Sequence, residues 1–151
     1  MNAWLLELWA APAALGFALL FNVPPRVLPA CCLLAVLAHG LRSLLVLWGI
    51  DLVIATLFAA LFLGFAGQWL AQRTRQISAV YAISAAIPMV PGTSMYHAVQ
   101  ALLHIALLKV PTEGGVLLTE AGVSAIRAVM ILLSLTLGIA APRLLWPRRP
   151  G

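Results

Sequence analysis

The sequence predicts an all-α integral membrane protein with about five transmembrane helices, one of them broken at a Pro-x-x-Pro-Gly motif. Three observations predict it. Of 151 residues, 64% are hydrophobic and 9% charged, with a mean hydropathy of +1.07; a soluble domain carries roughly a quarter charged residues. The apolar residues fall into runs near the length of a bilayer crossing, about 20 residues, and most cations stand at the ends of those runs. Inside one run, Pro88, Pro91 and Gly92 interrupt what would otherwise be helix. Each proline lacks the N–H that bonds one turn back, and its ring clashes with the preceding carbonyl. The chain is read as a single membrane domain, 1–151, with no soluble catalytic domain. A net charge of +5 and a pI near 10.3 would suit nucleic acid. Cations at the ends of apolar runs report orientation instead, so the expected surroundings are lipid, with no nucleic-acid partner.

The first run is Leu5 to Phe21. Met1 to Trp9 lacks a basic n-region and carries Glu7, which argues against a cleaved signal peptide. Ala10, Ala14 and Ala18 make a face of small side chains, which allows close helix approach; Pro12 is placed to kink the run. Asn22, Pro24, Pro25 and Arg26 stop it. The second run, Val27 to Gly49, opens with Pro29 in a first turn, where its missing N–H costs nothing. Cys31 and Cys32 are adjacent and read as packing residues, neither a disulfide nor a metal site. His39 and Arg42 share a face of this run. Asp51 precedes the third run, Leu52 to Leu70, where Ala60, Gly64 and Gly67 form a small-residue side. Gln68, Gln72, Arg73, Arg75 and Gln76 mark its exit into water.

The fourth stretch, Ser78 to Leu108, is too long for one straight crossing, and the break divides it into two half-helices. After the break, Thr93, His97, Gln100 and His104 recur at i, i+4, i+7 and i+11, on one face. A loop is expected from Lys109 to Thr119, then a last run, Ala121 to Ala140, ended by Pro142. Glu120, Ser124, Arg127 and Ser134 share a face of that run, and Arg143, Arg148 and Arg149 form a basic tail. With five crossings and the N-terminus outside, Arg26, Arg73, Arg75, Arg143, Arg148 and Arg149 all fall on the cytoplasmic side of a cell (inner) membrane, and the C-terminus is cytoplasmic. Four crossings, with the second run interfacial and Arg26 outside, is the other arrangement.

Two motifs carry a resemblance. Leu20-Phe21-Asn22 with Pro24 and Arg26, followed much later by Ile87-Pro88-Met89-Val90-Pro91-Gly92, resembles the threonine/serine exporter (ThrE) family, and within it the small, YjjB-like subunits. Those correspond to the C-terminal membrane half of longer exporters. Met89 replaces a common leucine, and Pro25 adds a second proline. The resemblance implies a proton-motive-force-driven secondary exporter of small amino or dicarboxylic acids, of threonine/serine or succinate type. It also implies a separately encoded larger membrane subunit as partner.

The residues give three candidate groups. Freed backbone groups at Pro88, Pro91, Gly92, Thr93 and Ser94 would bind a zwitterion or carboxylate, with Thr93 and Ser94 at the N-cap of the second half-helix; the alternative is a kink that only shapes the bundle. Arg42 and Arg127 would contact a substrate carboxylate, or else pair with an acid of the partner or snorkel. His97 and His104 would carry protons, or else hydrogen-bond a partner helix. Asp51, Glu113 and Glu120 read as solvated. No catalytic group, metal site or cofactor motif is present in the sequence, so an enzyme is not expected. The other functional class is a non-transporting assembly or stability subunit, whose small-residue faces dock the partner or a second copy in a homo-oligomer.

Overall fold

The computed structural model describes residues 8–74, 76–107 and 114–145. These are helical almost throughout: α1 (Ala10–Leu20), α2 (Leu28–Leu47), α3 (Leu52–Thr74), α4 (Ser78–Ala86), a short 3₁₀ turn (Ile87–Met89), α5 (Gly92–Leu107) and α6 (Gly114–Leu145). In hydrocarbon every backbone polar group must be paired within the segment, and among the described residues no strand is present. Three helices, α2, α3 and α6, are long and apolar enough to cross a membrane. The fold is that of an all-α integral membrane protein. Two compact units are present: one holds the chain up to Met89 together with the part from Ser134 onward, the other is Val90–Leu133.

In the first unit α3 packs against α2 and α4. Ala55, Thr56, Ala59, Ala60, Leu63, Gly64, Gly67, Gln68 and Ala71 form its buried strip. The small residues foreseen on α1, Ala10, Ala14 and Ala18, are likewise its buried side. Large apolar side chains point outward instead: Ile54, Phe58, Phe65 and Trp69 are about half exposed along one face of α3. Small residues inside and bulky ones outside is the pattern of helices that associate by close backbone packing in lipid.

The closest approach joins α3 to the C-terminal part of α6. A Cβ added at Gly64 would lie 2.6 Å from the Gly138 carbonyl oxygen and 2.9 Å from Pro142 Cγ. A Cβ at Gly138 would lie 2.5 Å from Ala60 Cβ. Pro142 therefore does not end the last helix, as the sequence predicted; α6 runs through it to Leu145. Proline withholds an N–H from the carbonyl one turn back, which is that of Gly138, and this carbonyl faces the side-chain-free surface of Gly64.

Other boundaries shift as well. The loop expected from Lys109 to Thr119 gives way to helix from Gly114, with Thr119 Oγ1 donating to the Gly115 carbonyl at 2.9 Å; residues 108–113 lie outside the described residues. Glycine is a poor helix former in water, but a bilayer offers the backbone no better partner. Gln68 is no exit marker. It is buried, because α3 continues to Thr74 and Gln68 falls on the packed strip. Pro12 sits in the first turn of α1, where no helical bond is lost.

The turns are tightly specified. Asn22 adopts φ +54, with its N–H on the Leu19 carbonyl and the Val23 N–H on the Ala18 carbonyl, both 2.9 Å. This is a Schellman stop. Gly49, φ +85, repeats it at the end of α2. Pro25 then occupies the second position of a turn closed by Val27 N–H on the Pro24 carbonyl at 2.9 Å. Asp51 Oδ1 accepts from Val53 N–H at 2.8 Å and caps α3.

Candidate functional site

The break is short. α4 tightens into the 3₁₀ turn Ile87–Met89, then only Val90 and Pro91 stand outside helix before α5 begins at Gly92. The turn belongs to the first unit, and the chain from Val90 to the second.

On the first-unit side the break meets a cation. Arg42 Nη1 donates to the Met89 carbonyl at 3.2 Å, and Arg42 Nη2 lies 3.0 Å from His39 Nε2. Helix α2 supplies both side chains one turn apart. Both are half-buried, whereas Met89 is buried. A carbonyl that ends a 3₁₀ turn has no fourth residue of helix to bond, so a guanidinium fills that role. Of the two arginines singled out in the sequence, Arg42 is thus brought to the break. Arg127 lies on α6 within the second unit and is exposed. Its proposed companions differ among themselves: Glu120 is exposed and Ser124 half-buried, while Ser134 is buried in the first unit.

On the second-unit side the details depart from expectation. Gly92 does not adopt a left-handed φ, and a Cβ there would meet nothing within 4 Å. Its role is to be the first residue of α5, with its N–H on the Val90 carbonyl at 2.8 Å. Thr93 and Ser94 are not N-caps. Pro91 precedes the helix, its carbonyl taking the Met95 N–H at 3.0 Å, so Thr93 and Ser94 lie in the first turn. First-turn N–H groups have no helical acceptor, and Thr93 and Ser94 supply two of the N–H groups of that turn. Thr93, His97, Gln100 and His104 do lie on one face of α5; all are exposed except the half-buried Gln100. His97 meets the Tyr96 ring edge-on at 5.8 Å. Two helical turns separate His97 from His104, about 10 Å of rise, so no proton passes directly between them.

The Phe21/Asn22/Pro24/Arg26 motif is a folding device. Phe21 stacks near Phe17, Asn22 makes the left-handed stop, Pro24 accepts the turn bond, and Arg26 is exposed. Three features escaped sequence reasoning. His39 accepts from Arg42, Arg143 donates to Ser78 Oγ from Nε (3.1 Å) and Nη2 (2.9 Å), and Thr74 Oγ1 bonds buried Tyr81 OH at 2.7 Å. The spacing of His39 and Arg42 was a usable signal for the first; partners from separate helices gave none for the second.

Residues 7–145 match the family described as Threonine/Serine exporter, ThrE. The chain belongs to the threonine/serine exporter family. An uncharacterized protein of Haemophilus influenzae (strain ATCC 51907 / DSM 11121 / KW20 / Rd) is 37% identical over 142 residues, covering 94% of this chain and 47% of that relative. This exporter-family chain therefore spans about half the length of the curated relative it matches. No solved structure matches it.

Proposed function

We propose that this chain is the small, YjjB-like membrane subunit of a secondary exporter of small amino or dicarboxylic acids, threonine/serine or succinate type, driven by the proton-motive force. The observation that carries the reading is the family match across residues 7–145. The break supports it from the chemistry. A membrane-embedded guanidinium that touches backbone at a helix interruption is a group able to hold a carboxylate. Arg42 is accordingly the main substrate contact. Pro88, Pro91, Gly92, Thr93 and Ser94 shape the interruption and its backbone donors; Arg127 and the His97/His104 face, on the second unit, are the further candidate groups.

A larger, separately encoded membrane subunit completes the exporter. Arg143 bonds Ser78, five residues beyond Arg73, so both cations stand at one end of the first unit. Arg26 joins them, because α2 and α3 pack as neighbours joined by the short segment 48–51. That end is assigned to the cytoplasm of the inner membrane, with the C-terminus there as well.

The test is efflux of labelled threonine, serine and succinate from cells expressing this chain with and without its partner gene. Gly92→Leu is the useful variant, because a side chain has room there. Export lost in Gly92→Leu and Arg42→Gln, with the complex intact, supports transport through this subunit. Export unchanged in both leaves the assembly-subunit reading.

A further inference from the structure

The second unit, Val90–Leu133, consists of α5 and the first part of α6. Only residues 108–113 join the two in sequence, and so short a connection makes packed helices antiparallel neighbours. Their buried positions are small: Ala98 and Ala101 on α5, Ala121 and Ala128 on α6. With equal rise on either side of the connection, Ala101 stands level with Ala121, and Ser94 with Ala128. The seam of the hairpin is thus lined by alanines, which allow close approach.

At about 100° per residue, each helix carries its polar side chains in one arc. On α5, Thr93, His97, Gln100 and His104 adjoin the alanines on one flank, and Met95, Val99, Leu102 and Leu103 cover the other. On α6, Glu120, Ser124 and Arg127 adjoin the alanines on the same rotational flank. Antiparallel helices that face each other put equal flanks on one side. The two arcs therefore make a single polar side of the second unit, with Arg127 near the level of Thr93 and Glu120 near that of Gln100. Gln100 and Ser124 are half-buried there and the others exposed. Among the described residues none of these side chains hydrogen-bonds or ion-pairs.

We propose that this side is a water-filled entrance that admits small hydrophilic solutes, zwitterions and carboxylates among them. The inference rests on the transport reading above and gives its path a wall. Hydrocarbon does not solvate a guanidinium, a carboxylate and two imidazoles. The opposite flank of α5, with Val99, Leu102 and Leu103 each more than half exposed, is as poorly suited to water. Lipid on one side and water on the other meets both demands. A second copy is a poor cover for the polar side: a two-fold axis along the membrane normal would set Arg127 against Arg127 and Glu120 against Glu120. One acid, one guanidinium and several hydroxyl and amide groups offer partners to both charges of an amino acid.

The experiment uses the full chain, expressed in cells with its partner gene, after Cys31→Ala and Cys32→Ala. Single cysteines replace His97, Gln100, Ser124 or Arg127 on the polar side and Val99, Leu103, Ile126 or Val129 on the apolar one. A small charged methanethiosulfonate is the probe, applied to whole cells and to inside-out vesicles, and each variant is scored in the alkali-resistant membrane fraction. The thiolate is the reacting form and does not form in hydrocarbon, so polar-side positions should react about tenfold faster or more. A short bifunctional methanethiosulfonate should join His97→Cys to Ser124→Cys, and should not join Val99→Cys to Ile126→Cys. Equal rates all round both helices would set the unit outside lipid. Slow reaction on the polar side whenever the partner is present would set a protein against it. A missing 97–124 cross-link would separate the two arcs. Each of these overturns the inference and leaves the transport reading standing, because efflux of threonine, serine and succinate is measured separately in the cysteine-free parent. No efflux of any of them, with the polar side still reactive, keeps the wet side and removes the transport reading.

Discussion

Asn22 shows how a family-type motif can be explained at a single residue. Its φ of +54 lies in the left-handed region, which asparagine tolerates and branched side chains do not. Asn22→Gly should keep the fold, and Asn22→Val should lose about 1–2 kcal/mol, the left-handed penalty for a side chain. Thermal unfolding in detergent measures this; loss of export in a stable Asn22→Gly protein would give the residue a role beyond its turn. Arg42 differs in kind. Arg42→Gln should cost about 1–3 kcal/mol by leaving the Met89 carbonyl short of its donor, and should abolish export even where the protein still inserts. The sequence marked Arg42 and the break separately. That they meet could not be read from it, because Met89 stands 47 positions away and only the packing of α2 against the 3₁₀ turn joins them. The expected N-cap role of Thr93 and Ser94 failed for a local reason: Pro91, with φ already fixed, takes the cap position itself, two residues before Thr93.

Among the elements, the α3–α6 crossing makes the sharpest demand on side-chain size. Gly64 and Gly138 each leave a Cβ less than 3.0 Å from backbone atoms of the facing helix, and backbone cannot rotate away. Gly64→Ala and Gly138→Ala should separate the helices, at about 1–3 kcal/mol or more. Gly67 is the internal control. Its added Cβ would meet Ser78 O and Tyr81 Cβ at 3.5 Å, ordinary contact, so Gly67→Ala should unfold close to wild type. Monodispersity in detergent and thermal midpoints check all three. The same crossing explains where sequence reading of elements succeeded and failed. Ala60, Gly64 and Gly67 announced a packing side by their spacing alone. Pro142 was misread as a stop, because its compatibility with helix depends on Gly64, 78 positions earlier. Arg143, one residue later, looked like solvated tail, but its guanidinium reaches Ser78 Oγ at the start of α4. Ser78→Ala should leave the helices in place and cost about 1 kcal/mol.

For the molecule as a whole, the arrangement of bulky and small residues decides which solvent it is built for. Alanines and glycines make up most of the buried strip of α3, whereas Ile54, Phe58, Phe65 and Trp69 line its outer face. At 23 residues, α3 is about 34 Å long, close to the hydrocarbon thickness with its margins. Trp69 with Arg73, 4.6 Å over its ring, stands near one end of this helix, and Asp51 caps the other. An amphipathic ring and a snorkelling cation at that end fit a membrane–water boundary. If that outer face meets lipid, a charge placed at its middle is buried in hydrocarbon; if it met water, the same charge would be harmless. Phe58→Lys should therefore cost about 2.5–3.5 kcal/mol of insertion free energy and leave much of the protein out of the alkali-resistant membrane fraction. Trp69→Lys, a turn from the end, should insert nearly normally because the ammonium reaches the interface. A Phe58→Lys protein that inserted as well as wild type would place the outer face of α3 against water or a polar partner, and the one-crossing assignment of that helix would have to be redrawn.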